Sequence, residues 1–495
     1  MNDSDQIGQG SLFSRGSSRS SGGSTLMGNM SSSEPLVSYA MRTRNGTGRI
    51  GSAFGIAAAA GAWVLTCLPV AATGATANPG GNCRVGIYHL QDGSDVDIGL
   101  GNDAHLRWRR KDGTSGELTE TSDGTWTSTL GWTSRDDGKR VAFSDCSKGE
   151  LTFAGVKGQR IALTATETRF QSGGVHLAGR LVMPKGGGKV PIVILISGSE
   201  DFSARDFFAL QRMFPSEGIG TFVYDKRGTG ASEGSYTHNY QLLAKDAVAA
   251  MQTARQLAGA RAGKVGYQGG SQAGWVMPLA ATLTPVDFIV VGYGLAVSPL
   301  EEDRSAIVLD MTRHGYGPDV IPKAMEVADA TEAVIVSNFK EGYDRVDAVR
   351  AKYGKEPWFE HVHGNFTFAV LGMPHDELRQ KGPVLLPDVD PRYDPMPILR
   401  KLNTPQLWIL GEDDIDAPSA ETARRLAALA ADGRPIVTAM FPRAEHGIFE
   451  YETSADGTRL STRNSDGYFY MMRDYILTGM LHGRYGSSVI SGRRQ

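Results

Sequence analysis

One serine in this chain stands in a turn that is almost free of side chains. The stretch Gly269-Gly-Ser-Gln-Ala-Gly274 follows a strand-like run, Val265-Gly-Tyr-Gln268, and opens an apolar helical run, Trp275-Val-Met-Pro-Leu-Ala280. A strand that bends sharply into a helix needs small neighbours, because the turning residue is strained and the backbones nearly touch. Such a turn lifts the Ser271 hydroxyl above the sheet edge and aims the N–H of Gln272, at the helix start, at a developing oxyanion. Two further residue types would complete that chemistry. A histidine must take the serine proton, since a hydroxyl is a poor nucleophile at neutral pH, and a carboxylate must orient the histidine. Both stand downstream after strand-like runs. Pro405-Gln-Leu-Trp-Ile-Leu-Gly411 leads to Asp413, Asp414 and Asp416, and residues 435–441 lead to Pro442-Arg-Ala-Glu-His446-Gly447. Ser271, one of those three aspartates and His446 would perform acyl transfer.

The elements needed to position them follow an α/β rhythm. Residues 168–184 read as an entry hairpin, and Val190-Pro-Ile-Val-Ile-Leu-Ile196 is a continuous apolar run of the kind buried in parallel sheets. An amphipathic helix over 203–217, a strand over 218–225, a helix over 240–257, the serine turn and a strand over 287–293 continue the alternation. The rhythm then stops. Residues 299–395 are helical in pattern and read as a lid over the carboxyl edge of the sheet, and an amphipathic helix over 467–477 closes the domain.

These residues resemble the α/β-hydrolase superfamily, and within it bacterial serine esterases and prolyl-oligopeptidase-like peptidases, over roughly 166–482. The family's elbow reads Gly-x-Ser-x-Gly, whereas here Ala273 takes the second position after the serine and Gly274 follows. The resemblance implies a Ser271–Asp414–His446 triad in the family's chain order, with Asp413 and Asp416 as alternative acids. It implies a second oxyanion N–H from Ser199, in Ser197-Gly-Ser-Glu200, where the family usually has His-Gly. It also covers Asp225-Lys-Arg-Gly-Thr-Gly-Ala-Ser232, similar to a recurrent Asp-x-Arg-Gly-x-Gly-x-Ser turn in which Asp225 and Arg227 are structural. A phosphate loop is the weaker reading of that turn, because no Gly-Lys-Ser/Thr opens a helix.

The chain has 495 residues, ample for two or three domains, and 51 basic against 54 acidic residues give no electrostatic reason to expect nucleic acid. Residues 1–40, rich in Ser and Gly, read as a disordered tail or a mis-called start ahead of Met41. Residues 41–77 have the layout of a signal peptide: Arg42 and Arg44, an apolar run over 53–72, and Ala75-Thr-Ala77 as cleavage site. The expectation is a secreted or periplasmic protein with no stable membrane insertion after cleavage; the alternative is an uncleaved anchor. Two cysteines then remain, Cys83 and Cys146, and an even pair in an exported chain suggests one disulfide. Between them, Asp92-Gly93, Asp112-Gly113, Asp123-Gly124 and Asp137-Gly138 read as hairpin turns, so 78–165 is expected to be a small antiparallel β domain with Trp108, Trp126 and Trp132 in its core.

The architecture expected is therefore an α/β-hydrolase fold over 166–298 and 396–482, a lid over 299–395, the β domain, and a tail over 483–495. Ser298-Pro-Leu-Glu301 reads as a capping box, which accounts for the acids Glu301, Glu302 and Asp303 better than recognition of a substrate amine. His361 and His363 lack a third ligand at suitable spacing, so no metal is expected. Triad chemistry needs no cofactor. The leading function is an exported serine carboxylesterase for small or medium esters. A prolyl-oligopeptidase-type peptidase is second, and a ligand-binding protein with a secondary hydrolase domain is third. The ninety-residue β region is too short for a propeller.

Overall fold

The computed structural model describes residues 82–102, 105–455 and 457–492. The tail over 1–40, the leader over 41–77 and its cleavage point after Ala77 lie outside the described residues. No described helix is long and apolar enough to cross a membrane.

Residues 86–160 form eight short strands closed into an antiparallel barrel. Three of its turns work as expected. Gly93, Gly113 and Gly124 adopt φ of 84°, 95° and 82°, while Asp92, Asp112 and Asp123 each accept the N–H two residues on. Asp137-Gly138 does not turn the chain; it lies inside the strand Asp136–Phe143, whose pairing shifts register. Trp108 and Trp126 fill the barrel, with Trp108 edge-on to Phe153 at 5.0 Å and donating to Ser128 Oγ at 2.7 Å. Trp132 does not: it is half-buried and packs outward against Phe449, at 4.4 Å. Cys83 and Cys146 are bonded, with Cα atoms 5.6 Å apart. Cross-linking residues 63 apart in sequence stabilises a domain by about 4 kcal/mol on chain-entropy grounds.

The second region is a nine-stranded sheet. Its centre is six parallel strands in the order Gly220–Tyr224, Val190–Ile196, Ala262–Gly270, Ile289–Gly292, Gln406–Gly411 and Ile436–Phe441. Val175–Met183 and Thr164–Ser172 continue it antiparallel at one edge. Alternation in Val190–Ile196 sends Ile192, Ile194 and Ile196 to one face and Val193 and Leu195 to the other, and both faces are covered, which is why the run is apolar throughout. The helices Tyr240–Ala258 and Ala273–Leu283 pack on the first face, Leu210–Ser216 and Tyr468–Thr478 on the second.

Two features depart from the sequence expectation. Residues 489–492, expected as tail, add an antiparallel edge strand beside Ile436–Phe441. Residues 444–464 form a separate three-stranded sheet, Ala444–Glu445, Phe449–Thr453 and Arg459–Asn464, which leans on the barrel. Thr114 bridges to Arg463, Asn464 N–H donates to Gly113 O at 3.0 Å, and Trp132 N–H donates to Ser461 O at 2.9 Å. A buried bidentate pair, Arg212 to Asp97 at 2.6 and 2.9 Å, also joins barrel and sheet. The helices Pro299–Arg313, Ile321–Val336, Tyr343–Tyr353, Asn365–Gly372 and His375–Leu385 lie between two strands that are neighbours in the sheet, and they pack into small cores of their own.

Candidate active site

The strand Ala262–Gly270 ends at the carboxyl edge of the sheet and Ser271 turns it into the helix Ala273–Leu283. Ser271 has φ 54°, the left-handed region that a residue with a side chain occupies only under strain. The glycines around it are required by contact. A Cβ at Gly269 would sit 2.5 Å from Ile196 O and 2.6 Å from Ala273 Cβ, and one at Gly270 would run into the Tyr293 ring. The methyl at Ala273, the departure from the family's elbow, is thus accommodated because Gly269 has no side chain.

The strands Gln406–Gly411 and Ile436–Phe441 end on the same edge, and the loops that follow bring Asp414 and His446 together. His446 Nδ1 lies 3.0 and 3.2 Å from the two carboxylate oxygens of Asp414, which is 1% exposed and also accepts Ala417 N–H at 2.8 Å. Asp413 turns elsewhere, to the Tyr451 hydroxyl at 2.8 Å and to Arg313. Burial opposes charge on His446, but Asp414 first, then Asp416 and Glu302, outweighs it and raises the imidazole to about 9. Asp416 is itself pushed up to about 7, by burial and then by its acidic neighbours. Ser271 Oγ makes no hydrogen bond to His446; the Tyr293 ring, at 4.7 Å from the imidazole, stands beside the elbow.

The loop after Val190–Ile196 faces the elbow, and the nearest elbow side-chain atom to a Cβ built on Gly198 would be Ser271 Cβ, at 3.5 Å. Among the described residues the backbone N–H groups of Ser199 and Gln272 donate to no protein acceptor. Two unengaged N–H groups flanking a strained serine form the kind of donor pair an oxyanion requires.

Other residues are sorted by their partners. Asp225 is buried and accepts Ser203 Oγ, Arg205 N–H and Ala231 N–H, and Arg227 forms a bidentate pair with Asp246 at 2.6 and 2.7 Å. Glu301 forms the expected capping box with Ser298. Asp303 caps the helix Asn365–Gly372, accepting from Phe366 and Thr367. Glu302, read from the sequence only as an acid of the helix start, is buried near the candidate site: it accepts from Asn365 Nδ2 at 3.1 Å, and burial raises its carboxyl well above the usual range in the field of His446 and Asp414. The capping-box pattern gave no signal of it, because neighbouring helix positions point to different faces. His363 lies against Asp310 at 3.2 Å and His361 stacks on His314 at 4.0 Å; among the described residues no group of three or more His, Cys, Asp or Glu is arranged to hold a metal.

The family model for X-Pro dipeptidyl-peptidase (S15 family) matches residues 173–297, from the first sheet strands through the elbow. No curated protein matches this chain. Among solved structures it is similar to the Pyrococcus horikoshii acylaminoacyl peptidase, with 14% identity, TM-score 0.41, and coverage of 80% of this chain and 53% of that one. It is similar also to the Pyrococcus furiosus esterase Pf2001, with 13% identity, TM-score 0.36 and coverage of 58% and 84%. A third likeness is to a Mycobacterium tuberculosis puromycin-hydrolyzing peptidase, with 15% identity, TM-score 0.35 and coverage of 73% and 50%. The chain spans about half the length of the two peptidases. Residues 173–297, which carry the first parallel strands and the serine elbow on their carboxyl edge, match that serine-hydrolase family, and the parallel sheet with its flanking helices is an α/β-hydrolase fold.

Proposed function

We propose that Ser271, His446 and Asp414 form a catalytic triad that hydrolyses small carboxylic esters through an acyl-enzyme. The observation that carries this reading is the Asp414–His446 pair on the sheet edge that also bears the strained Ser271. His446 Nδ1 is engaged by Asp414, so Nε2 is the atom left to take the serine proton; Ser271 has to turn toward it as substrate enters, as catalytic hydrogen bonds often tighten only in the complex. The N–H groups of Gln272 and Ser199 would hold the tetrahedral oxyanion, each contributing about 3 kcal/mol. Water then releases the acid. The disulfide supports export, consistent with the leader expected over 41–77.

A fluorophosphonate probe tests the nucleophile: the wild type is labelled and Ser271→Ala is not, and equal labelling would remove Ser271 from the mechanism. A second reading, hydrolysis of an aminoacyl or peptide bond, is favoured by the S15 match and by the carboxyls of buried Glu302 and half-buried Asp416 beside His446, which suit a substrate carrying a cationic amine. Turnover of aminoacyl-proline substrates and not of simple esters would put that reading first.

A further inference from the structure

The turn Asp225–Ser232 and the segment after it hold three polar side chains that triad chemistry leaves unused: Lys226, Tyr236 and His238. Lys226 is 3% exposed, and its Nζ donates to Gly198 O at 2.9 Å while lying 4.5 Å from the centre of the Tyr236 ring. The Tyr236 hydroxyl donates to Ser199 O and meets His238 Nε2 at 3.2 Å. His238, 5% exposed, accepts Gln272 Nε2–H on its Nδ1 at 2.6 Å, which puts the ring proton on Nε2. Three side chains therefore connect the loop carrying Ser199 to the residue that follows the serine.

The geometry of the peptide bond gives this chain of contacts a purpose. Gly198 C=O and Ser199 N–H belong to one planar trans peptide and point in opposite directions. A donor fixed on Gly198 O thus fixes where Ser199 N–H points, and a cation on that oxygen polarises the N–H further. Tyr236 fixes the next peptide in the same way through Ser199 O. On the other side, Gln272 C=O accepts from the Trp275 and Val276 N–H groups of its own helix, and its side chain ties the residue to His238 without using the backbone N–H. The clamp is itself anchored in the lid, since His238 N–H donates to Pro387 O at 2.8 Å and Thr237 Oγ1 to Asp388 Oδ2 at 2.8 Å.

We propose that Lys226, Tyr236 and His238 are positioning residues that hold the Ser199 and Gln272 N–H groups in oxyanion-binding orientation, with Lys226 adding charge to the donor peptide. The proposal rests on the reading of Ser271 as nucleophile. Burial, and then Lys226, keeps the imidazole of His238 neutral, with its pKa lowered to about 3, so His238 holds one hydrogen-bond pattern, whereas burial lowers Lys226 to about 8 and confines its charge to pH values below that.

The test compares Ser271→Ala, Lys226→Met, Lys226→Gln and Tyr236→Phe in the full chain, with kcat and KM on a p-nitrophenyl ester and inhibition by an alkylboronic acid, whose serine adduct is tetrahedral. Lys226→Met is expected to lower kcat by about 100-fold with KM within about twofold, and to weaken the boronate by a similar factor. Lys226→Gln, which keeps a donor without charge, falls between it and the wild type. Tyr236→Phe removes one oxygen and lowers kcat by about tenfold, so it carries the test should Lys226→Met fail to fold, as judged by circular dichroism. Combined with Lys226→Gln it is expected to cost less than the product of the two, as for members of one network. Lys226 and Tyr236 variants with wild-type kcat and boronate affinity, beside an inactive Ser271→Ala, would overturn the clamp alone. An active Ser271→Ala would overturn the nucleophile and the clamp together.

Discussion

Around Ser271 the chain is shaped by absent side chains, whereas around His446 it is shaped by charged ones. Gly269, Gly270 and Gly274 let strand, helix and the Tyr293 ring close on the serine. His446 is held through Asp414, with Asp416 and Glu302 in its field, and its loop continues into a small sheet that borrows support from the barrel. The nucleophile side is thus a packing problem with one solution, and the acid–base side is an electrostatic one that neighbours can tune. The barrel reaches the chemistry through the second side.

The comparison can be broken most severely at the carboxylate. Asp414→Asn keeps the shape but removes the charge that fixes the imidazole tautomer, and kcat is expected to fall by about 10⁴-fold with the fold intact. Single-turnover kinetics beside circular dichroism would check it. On the packing side, Gly270→Ala forces a methyl into the Tyr293 ring. Overpacking of this kind costs about 1–3 kcal/mol, and the displaced serine should lose about 100-fold in kcat/KM. Urea denaturation and steady-state kinetics on one preparation would show both losses together.

Trp132→Ala asks whether the barrel supports the histidine loop. The substitution removes the contact with Phe449 and the Arg107 guanidinium stacked at 4.5 Å, for a stability loss of about 2 kcal/mol, below that of a fully buried tryptophan. A several-fold fall in kcat with KM little changed would follow if Phe449 helps to place His446. The smallest effect is the most specific. In the proposed mechanism His446 acts as a base only when neutral, so kcat/KM is expected to be lost as pH falls through its raised pKa of about 9. Asp416→Asn removes one of the charges that raise it, and the acid limb of the pH–rate profile should move to lower pH by about half a unit.

Much of this was legible before the fold was known. Ser271 announces itself because close backbone approach permits only small neighbours, and those neighbours are adjacent in sequence. His446 and the aspartates of 413–416 were found by their place after apolar strands, since a parallel sheet puts every such loop on one edge. The role of Trp132 was not readable, because core and interface tryptophans carry the same local pattern. The edge strand at 489–492 was missed for a similar reason: Val489-Ile-Ser-Gly492 is short and half polar, and becomes a strand only by pairing with Ile436–Phe441.

The sequence by itself determined the strand–helix alternation and the strained serine turn, because both rest on periodicity or on contacts between near neighbours, while the order in which the proposed acid and base follow came from the family resemblance. Only the tertiary structure decided which of three aspartates meets His446, that Glu302 is buried in the field of the histidine, and that Lys226 and His238 reach the two loops beside the serine. Those choices depend on where side chains from distant segments end. A local pattern fixes which face an element buries, but the endpoints of long polar side chains are set only when the faces have closed.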